Sequence, residues 1–142
     1  MQYKIKWHEW SDETFDKAKS EGKLVLLYIT AVWCHWCHRM KDDTLNNDEI
    51  AKMVNENFIP IKVDTDKRPD INERYNMGGW PTAAVLTPEG ATISGGTYLP
   101  PAQMKNFLDG ARIFYQENKE KIKIGIYEQP QERYADLNES MI

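Results

Sequence analysis

Cys34 and Cys37 are the only two cysteines in the 142-residue chain. They stand three positions apart in Thr30-Ala31-Val32-Trp33-Cys34-His35-Trp36-Cys37-His38-Arg39-Met40. The apolar run Leu24 to Ile29 leads into them and reads as a buried strand. The residues that follow, as far as Leu45, read as a helix. Strand, short loop and helix mouth is the setting in which C-x-x-C reads as a redox pair. At a helix N-terminus, unpaired backbone N–H groups and the helix dipole favour a thiolate over a thiol, which singles out Cys34 as the nucleophile. Cys37 lies one turn on, so the two sulfurs share a face and can close a small disulfide loop.

Three other readings compete for these residues. The first is a pair of structural cysteines, although unreactive thiols have no reason to pair at this spacing. The second is c-type haem attachment, because Cys34-His35-Trp36-Cys37-His38 is a literal C-x-x-C-H string. The third is a metal site. Each histidine is adjacent to a cysteine in sequence and points to a different side of the helix. The only other histidine is His8, so a closed zinc site lacks its four ligands. The dithiol reading requires neither metal nor cofactor.

His35 and His38 flank the pair. A protonated imidazole would favour a nearby thiolate, and the alternative for each is a solvated surface residue. His38, at i+4 from Cys34, leans back toward the helix N-terminus and is expected to reach the Cys34 sulfur. His35 is expected to face solvent. Trp33 and Trp36 read as an apolar platform for substrate, with simple packing of Trp33 as the competing reading.

The surrounding elements must hold this loop. Lys4 to Trp7 reads as a short first strand. Ser11 is an N-cap for a helix over Asp12 to Ser20, and Gly22 follows its end. Asn46 or Asn47 breaks the cysteine helix, and helical spacing resumes from Asp48. Phe58 to Asp64 reads as a second core strand, irregular at Pro60. Pro69 opens a short helix through Tyr75. Asp64, Arg68 and Asp70 read as a structural turn network. Ala83 to Thr87 is a further strand, Pro88-Glu89-Gly90 a hairpin turn, and Ala91 to Ser94 the return strand. A final helix runs from Ala102 to about Glu117. Residues 1–120 form one domain. Residues 121–142 form an extension in which the alternating Ile122, Ile124 and Ile126 suggest an edge strand before a mobile tail. The expected architecture is α/β, a central mixed sheet with helices on both faces.

Composition narrows the function class. The formal net charge of −4 argues against nucleic acid as a partner. No run approaches the 18 or more apolar residues of a membrane span. The N-terminal MQYKIKWHEW has no apolar h-region, and two cysteines are too few for a disulfide scaffold. The expected setting is cytoplasmic, with a disulfide or dithiol substrate, protein or small molecule. The partner reductase or oxidant is left open.

Four motifs carry a resemblance: CHWCHRM at Cys34–Met40, IKVDTDKRPD at Ile61–Asp70, GGWP at Gly78–Pro81 and GGTYLPP at Gly95–Pro101. On these, the chain resembles the thioredoxin-like domain of a family once filed as a domain of unknown function, which includes the spermatogenesis-associated thioredoxin-like proteins. The resemblance spans Trp7 to Phe107. It implies a thioredoxin fold and a thiol–disulfide role. It also implies a cis Pro81 set against the cysteine pair, with Gly79, Trp80 and Pro81 lining the substrate site. A proline has no N–H, so neighbouring backbone is left to pair with an incoming peptide. Two departures from the family concern length. Only Ile71–Met77 separates RPD from GGWP, where family members carry a longer helical insert. The large helical domain that follows in many members is not carried over. A third departure is from thioredoxins, which place a buried aspartate six residues before the first cysteine. That position is Tyr28, which is not acidic near neutral pH. An expectation follows that the histidines take over part of the proton and charge management.

Overall fold

The computed structural model describes residues 4–123. Its elements run α1 (Asp12–Glu21), β1 (Leu24–Thr30), α2 (His35–Met40), a π-helical turn (Lys41–Leu45), α3 (Asp48–Asn57), β2 (Phe58–Asp64), α4 (Pro69–Tyr75), β3 (Thr82–Leu86), β4 (Thr92–Gly96) and α5 (Pro101–Lys123). Four strands form one sheet in the order β2-β1-β3-β4. β1 pairs parallel with β2 and antiparallel with β3, and β3 pairs antiparallel with β4. This is the thioredoxin fold, α/β with a mixed sheet.

The helix ends indicated at Ser11, Gly22 and Pro69 are in place, and Asn47, expected only to break the preceding helix, also caps the next one. The Ser11 hydroxyl accepts from Thr14 N at the start of α1, and Gly22 takes the left-handed conformation (φ 65°) at its end. The Asn47 side chain accepts from Ile50 N at the start of α3. Pro69 occupies the first turn of α4.

Alternation along β1 divides the core. Leu24, Leu26 and Tyr28 face one side, packed with Met40, Leu45, Ile50 and Val54 and with Met104 and Leu108 of α5. Val25, Leu27 and Ile29 face the other, packed with Ala18 of α1 and Ile71 and Tyr75 of α4. β1 is therefore buried on both faces, as its unbroken apolar run requires. Each fully buried Leu or Ile contributes roughly 1.5–3 kcal/mol. That burial makes β1 a rigid base for the cysteine loop at its end.

The structure corrects three expectations about elements. Lys4–Trp7 is not a strand. Among the described residues, the isolated backbone bridge to β2 comes just after it, between His8 and Ile61. The Asn55 side chain takes up the earlier backbone groups instead, accepting from Lys6 N (3.0 Å) and donating to Lys4 O (2.8 Å). The cysteine helix does not run α-helical to Leu45, because it widens into the π turn after Met40. α5 continues through Lys123, so Ile122 is helical. The rest of the expected edge strand and the tail, residues 124–142, lie outside the described residues.

Pro60 is accommodated at the sheet edge. Its carbonyl points away from β1 and accepts from His8 N at 2.8 Å. Its missing N–H would point the same way, so no ladder bond to β1 is lost.

Candidate functional site: the dithiol at the start of α2

Beyond Thr30 the chain turns sharply. Cys34 N donates to Ala31 O (3.2 Å), and His38 N donates to Cys34 O (3.4 Å) to begin the helix. Cys34 is the N-cap residue of α2, with extended backbone (φ −94°, ψ 113°). Its sulfur takes the place of a capping oxygen. Cys37 N donates to Cys34 Sγ at 3.1 Å. A helix-start N–H aimed at sulfur stabilises negative charge on that atom. Both cysteines are free thiols. Cys34 is 7% exposed and Cys37 2%, so Cys34 is the more accessible of two enclosed sulfurs.

Burial pushes the Cys37 thiol up to about 11, aided by its hydrogen bond with Cys34; the Thr30 hydroxyl and the Ala31 backbone act against this. Beneath it, Tyr28 Oη donates to Cys37 O (3.1 Å), and its ring stacks on Trp7 with centroids 5.6 Å apart. Burial, then the neighbouring Cys37, raises the Tyr28 phenol above its ordinary value. Tyr28 is a neutral anchor for α2 at neutral pH.

The histidines are placed differently from one another. The His38 ring, expected at the Cys34 sulfur, holds Nε2 3.0 Å from Val32 O instead. In that contact Nε2–H donates, and the ring fastens the loop. The His35 ring lies edge-on to Trp36, 5.4 Å between centroids, on the exposed side of α2. Among the described residues, no group of three or more His, Cys, Asp or Glu is placed to hold a metal ion.

Two aromatic walls flank the dithiol. Trp33 meets Trp80 edge to face at 5.3 Å, which brings the GGWP loop against the cysteine loop. Each indole is tethered: Trp33 Nε1 donates to Asp66 Oδ2 and Trp80 Nε1 to Asn72 Oδ1, both at 3.1 Å. On the other side Trp36 meets Tyr98 at 5.3 Å. Tyr98 Oη donates to Asp43 Oδ2 (2.8 Å), which also pairs with Arg39 (3.2 Å). Trp33 and Trp36 are more than half exposed, so both offer apolar surface. Asp66, Asp43 and Tyr98 are site residues that sequence reasoning missed. Asp66 falls within IKVDTDKRPD and Tyr98 within GGTYLPP, which was the available signal, whereas Asp43 lies in none of the four motifs; the Trp33–Asp66 and Tyr98–Asp43 pairings join residues distant in sequence.

The GGWP loop is held from within. Asn76 Oδ1 accepts from Gly78 N (2.7 Å) and Gly79 N (2.9 Å), and Thr82 Oγ1 donates to Gly79 O (2.7 Å). Gly78 has φ 103°, a conformation that excludes most side chains. The Trp80–Pro81 peptide bond is cis, and Pro81 is buried.

Asp64, Arg68 and Asp70 build a turn, as expected. Asp64 O accepts from Lys67 N (3.1 Å) and Arg68 N (2.9 Å). Arg68 forms a two-point contact with Asp70 and holds that carboxyl below its usual range. A groove of about 1110 Å³ opens nearby. Its lining includes Tyr28, Thr30, Cys37, Asp64 and Lys62, but not Cys34.

A two-cysteine helix start on a four-stranded mixed sheet, with a cis-proline loop beside it, defines a thioredoxin-like domain. The chain belongs to the family described as Thioredox_DsbH, protein of unknown function, DUF255, whose model matches residues 1–132. It is 41% identical over 105 residues to spermatogenesis-associated protein 20 of Rattus norvegicus, a match covering 68% of this chain and 13% of that protein. The chain thus spans a small part, 13–15%, of the length of the curated relatives of this kind. Among solved structures it resembles one titled DsbH oxidoreductase (TM-score 0.69, 19% identity, covering 78% of this chain and 85% of that one). It also resembles a thioredoxin from Thermus thermophilus (TM-score 0.65, 21% identity, covering 92% of this chain and all of that one). At these identities the structural likeness establishes the fold.

Proposed function

We propose that this chain is a thiol–disulfide oxidoreductase. The Cys34 thiolate attacks a substrate disulfide, and Cys37 resolves the mixed disulfide, leaving Cys34 and Cys37 oxidised and the substrate reduced. The observation that carries the reading is the helix-start N–H of Cys37 directed at the Cys34 sulfur, with Cys37 itself enclosed one turn below. A nucleophile at the less enclosed of the two sulfurs, backed by a more deeply buried resolving thiol, suits exchange, not structural cross-linking. Trp33, Trp36, Gly79, Trp80 and Pro81 would receive the polypeptide around the target disulfide. His35 and His38 would flank the pair, His38 holding the loop through Val32 O. The use of two cysteines as one dithiol supports a cytoplasmic setting. Reduction of insulin disulfides with dithiothreitol as electron source tests the reading. The chain should accelerate insulin precipitation, and Cys34→Ser should abolish that effect. A wild-type rate equal to dithiothreitol alone would overturn it.

A second reading is a binding or redox-sensing module that retains the dithiol without efficient turnover. The neutral Tyr28 beneath Cys37 favours it, since a phenol held protonated cannot take up the resolving proton. Reversible oxidation without insulin turnover would select it. Haem attachment fits less well, because a thioether needs both sulfurs at the surface and Cys37 is 2% exposed.

A further inference from the structure

Resolution of a mixed disulfide requires the Cys37 thiol to lose its proton inside the protein. We propose that Asp64, acting through the hydroxyl of Thr30, accepts that proton. The inference rests on the oxidoreductase reading above.

The sheet register places the parts. Tyr28 and Thr30 follow Leu24 and Leu26 on the face of β1 that lies beneath α2. In the parallel ladder Tyr28 pairs with Lys62 and Thr30 with Asp64. Paired residues share a face, and neighbouring strands lie about 4.8 Å apart. Thr30 sits on the Cys37 side of the sheet, and its hydroxyl acts against the rise that burial imposes on the Cys37 thiol. Cys37, Thr30 and Asp64 all line the same groove. The Asp64 carboxylate is already oriented, because Oδ1 accepts from Asp66 N at 2.8 Å. Among the described residues Oδ2 has no hydrogen-bond partner, and Asp64 is half-buried.

The other titratable groups facing Cys37 and the groove are less suited. From β1, Tyr28 spends its hydroxyl on the Cys37 carbonyl. From α2, Cys34 is the sulfur under attack, and His38 directs Nε2 to Val32 O. From the N-terminal segment, His8 has Nδ1 3.1 Å from Pro60 O and Nε2 3.4 Å from Lys17 Nζ, while Glu9 is an exposed rim residue. Lys4 of the N-terminal segment, Lys41 of the π turn, Lys62 of β2 and Lys67 and Arg68 of the following loop are cations that offer no base. Asp64 is the remaining acceptor.

The step balances as follows. The Cys37 S–H proton passes to Thr30 Oγ1, whose own proton passes to Asp64 Oδ2, directly or through a groove water. The Cys37 thiolate attacks Cys34 Sγ. The Cys34–Cys37 S–S bond forms, the Cys34–substrate S–S bond breaks, and the electron pair leaves on the substrate sulfur. The Asp64 proton returns to solvent and neutralises the departing thiolate.

The test uses reduced full-length chain and the aryl disulfide dithiobis-nitrobenzoate, which releases a coloured thiolate at each step. The first equivalent reports attack by Cys34, and the second reports closure by Cys37. Asp64→Asn preserves the acceptor for Asp66 N and removes the base. Closure in that variant should slow at pH 7 by about tenfold or more. It should then rise about tenfold per pH unit as hydroxide replaces the carboxylate. Thr30→Val should behave alike, while Thr30→Ser and Asp64→Glu should restore much of the rate and the wild-type pH profile. The sign is diagnostic. If Asp64 acted only as a nearby negative charge, its removal would favour the Cys37 thiolate and speed closure. Closure in Asp64→Asn as fast as in wild type, or faster, overturns the proposal. A wild-type chain that releases no first equivalent overturns the oxidoreductase reading itself, so the two failures are distinct.

Discussion

The phenol of Tyr28 donates to the carbonyl of Cys37 across 3.1 Å, from the buried strand to the helix that carries the dithiol. The bond fixes the height of α2 above the sheet. It also places a neutral hydroxyl beneath Cys37, where a carboxylate would change both the charge and the proton balance.

Tyr28→Phe isolates this bond, because phenylalanine keeps the stack on Trp7. Net loss of one buried hydrogen bond is expected to lower the stability of the reduced protein by about 1 kcal/mol in urea denaturation. An unchanged denaturation midpoint would show that Lys41 N, which also donates to Cys37 O, satisfies that carbonyl alone.

The reduced protein is expected to lose stability at alkaline pH. The folded Cys37 thiol stands at about 11 against an ordinary 9.0. Below pH 9 the thiol keeps its proton in both folded and unfolded chains, and stability is unaffected. Between pH 9 and 11 the unfolded chain ionises first, so stability falls by up to about 2–3 kcal/mol. Tyr28, also raised, adds a loss of the same sign above pH 10. Cys37→Ser removes the first contribution, so its stability should fall less across pH 9–11 under reducing conditions. Parallel pH curves for the two proteins would contradict this.

Cys37→Ser is expected to trap mixed disulfides between Cys34 and substrate, seen as adducts that reductant dissolves on a gel. Cys34→Ser should trap none, since the remaining sulfur is 2% exposed. Adducts formed by Cys34→Ser alone would reverse the assignment of nucleophile.

The tethered indoles of Trp33 and Trp80 should matter for polypeptides and not for small disulfides. Trp80→Ala is expected to raise KM for a peptide disulfide roughly fivefold, equivalent to about 1 kcal/mol of lost aromatic contact, and to leave reaction with a small aryl disulfide unchanged. Equal effects on both substrates would point to a displaced cysteine loop instead.

Local signals in the sequence carried the helix cap at Ser11, the break at Asn46 or Asn47, the proline start at Pro69, the buried strands and the position of the dithiol. Each depends on residues within a few positions of one another. The differences involve partners far apart in the chain. Lys4–Trp7 looks like a strand until Asn55, some 50 residues on, supplies the hydrogen bonds a neighbouring strand would have supplied. His38 has the right spacing to reach Cys34, but the exposed Val32 carbonyl competes for its ring. The tether of Trp33 to Asp66 and the register that sets Asp64 beside Thr30 exist only once the sheet has formed.

The π turn after Met40 has a consequence for insertions and deletions. A π-helical turn holds more residues than an α-helical turn of similar rise, so Lys41–Leu45 stores slack inside what is otherwise a continuous helix. Removing one residue there could draw the segment back to α-helical winding while leaving the cysteines at its head untouched. The same deletion would rotate Thr44 away from the Leu99 carbonyl, which it now reaches at 2.7 Å, and so release the helix from the chain leading into α5.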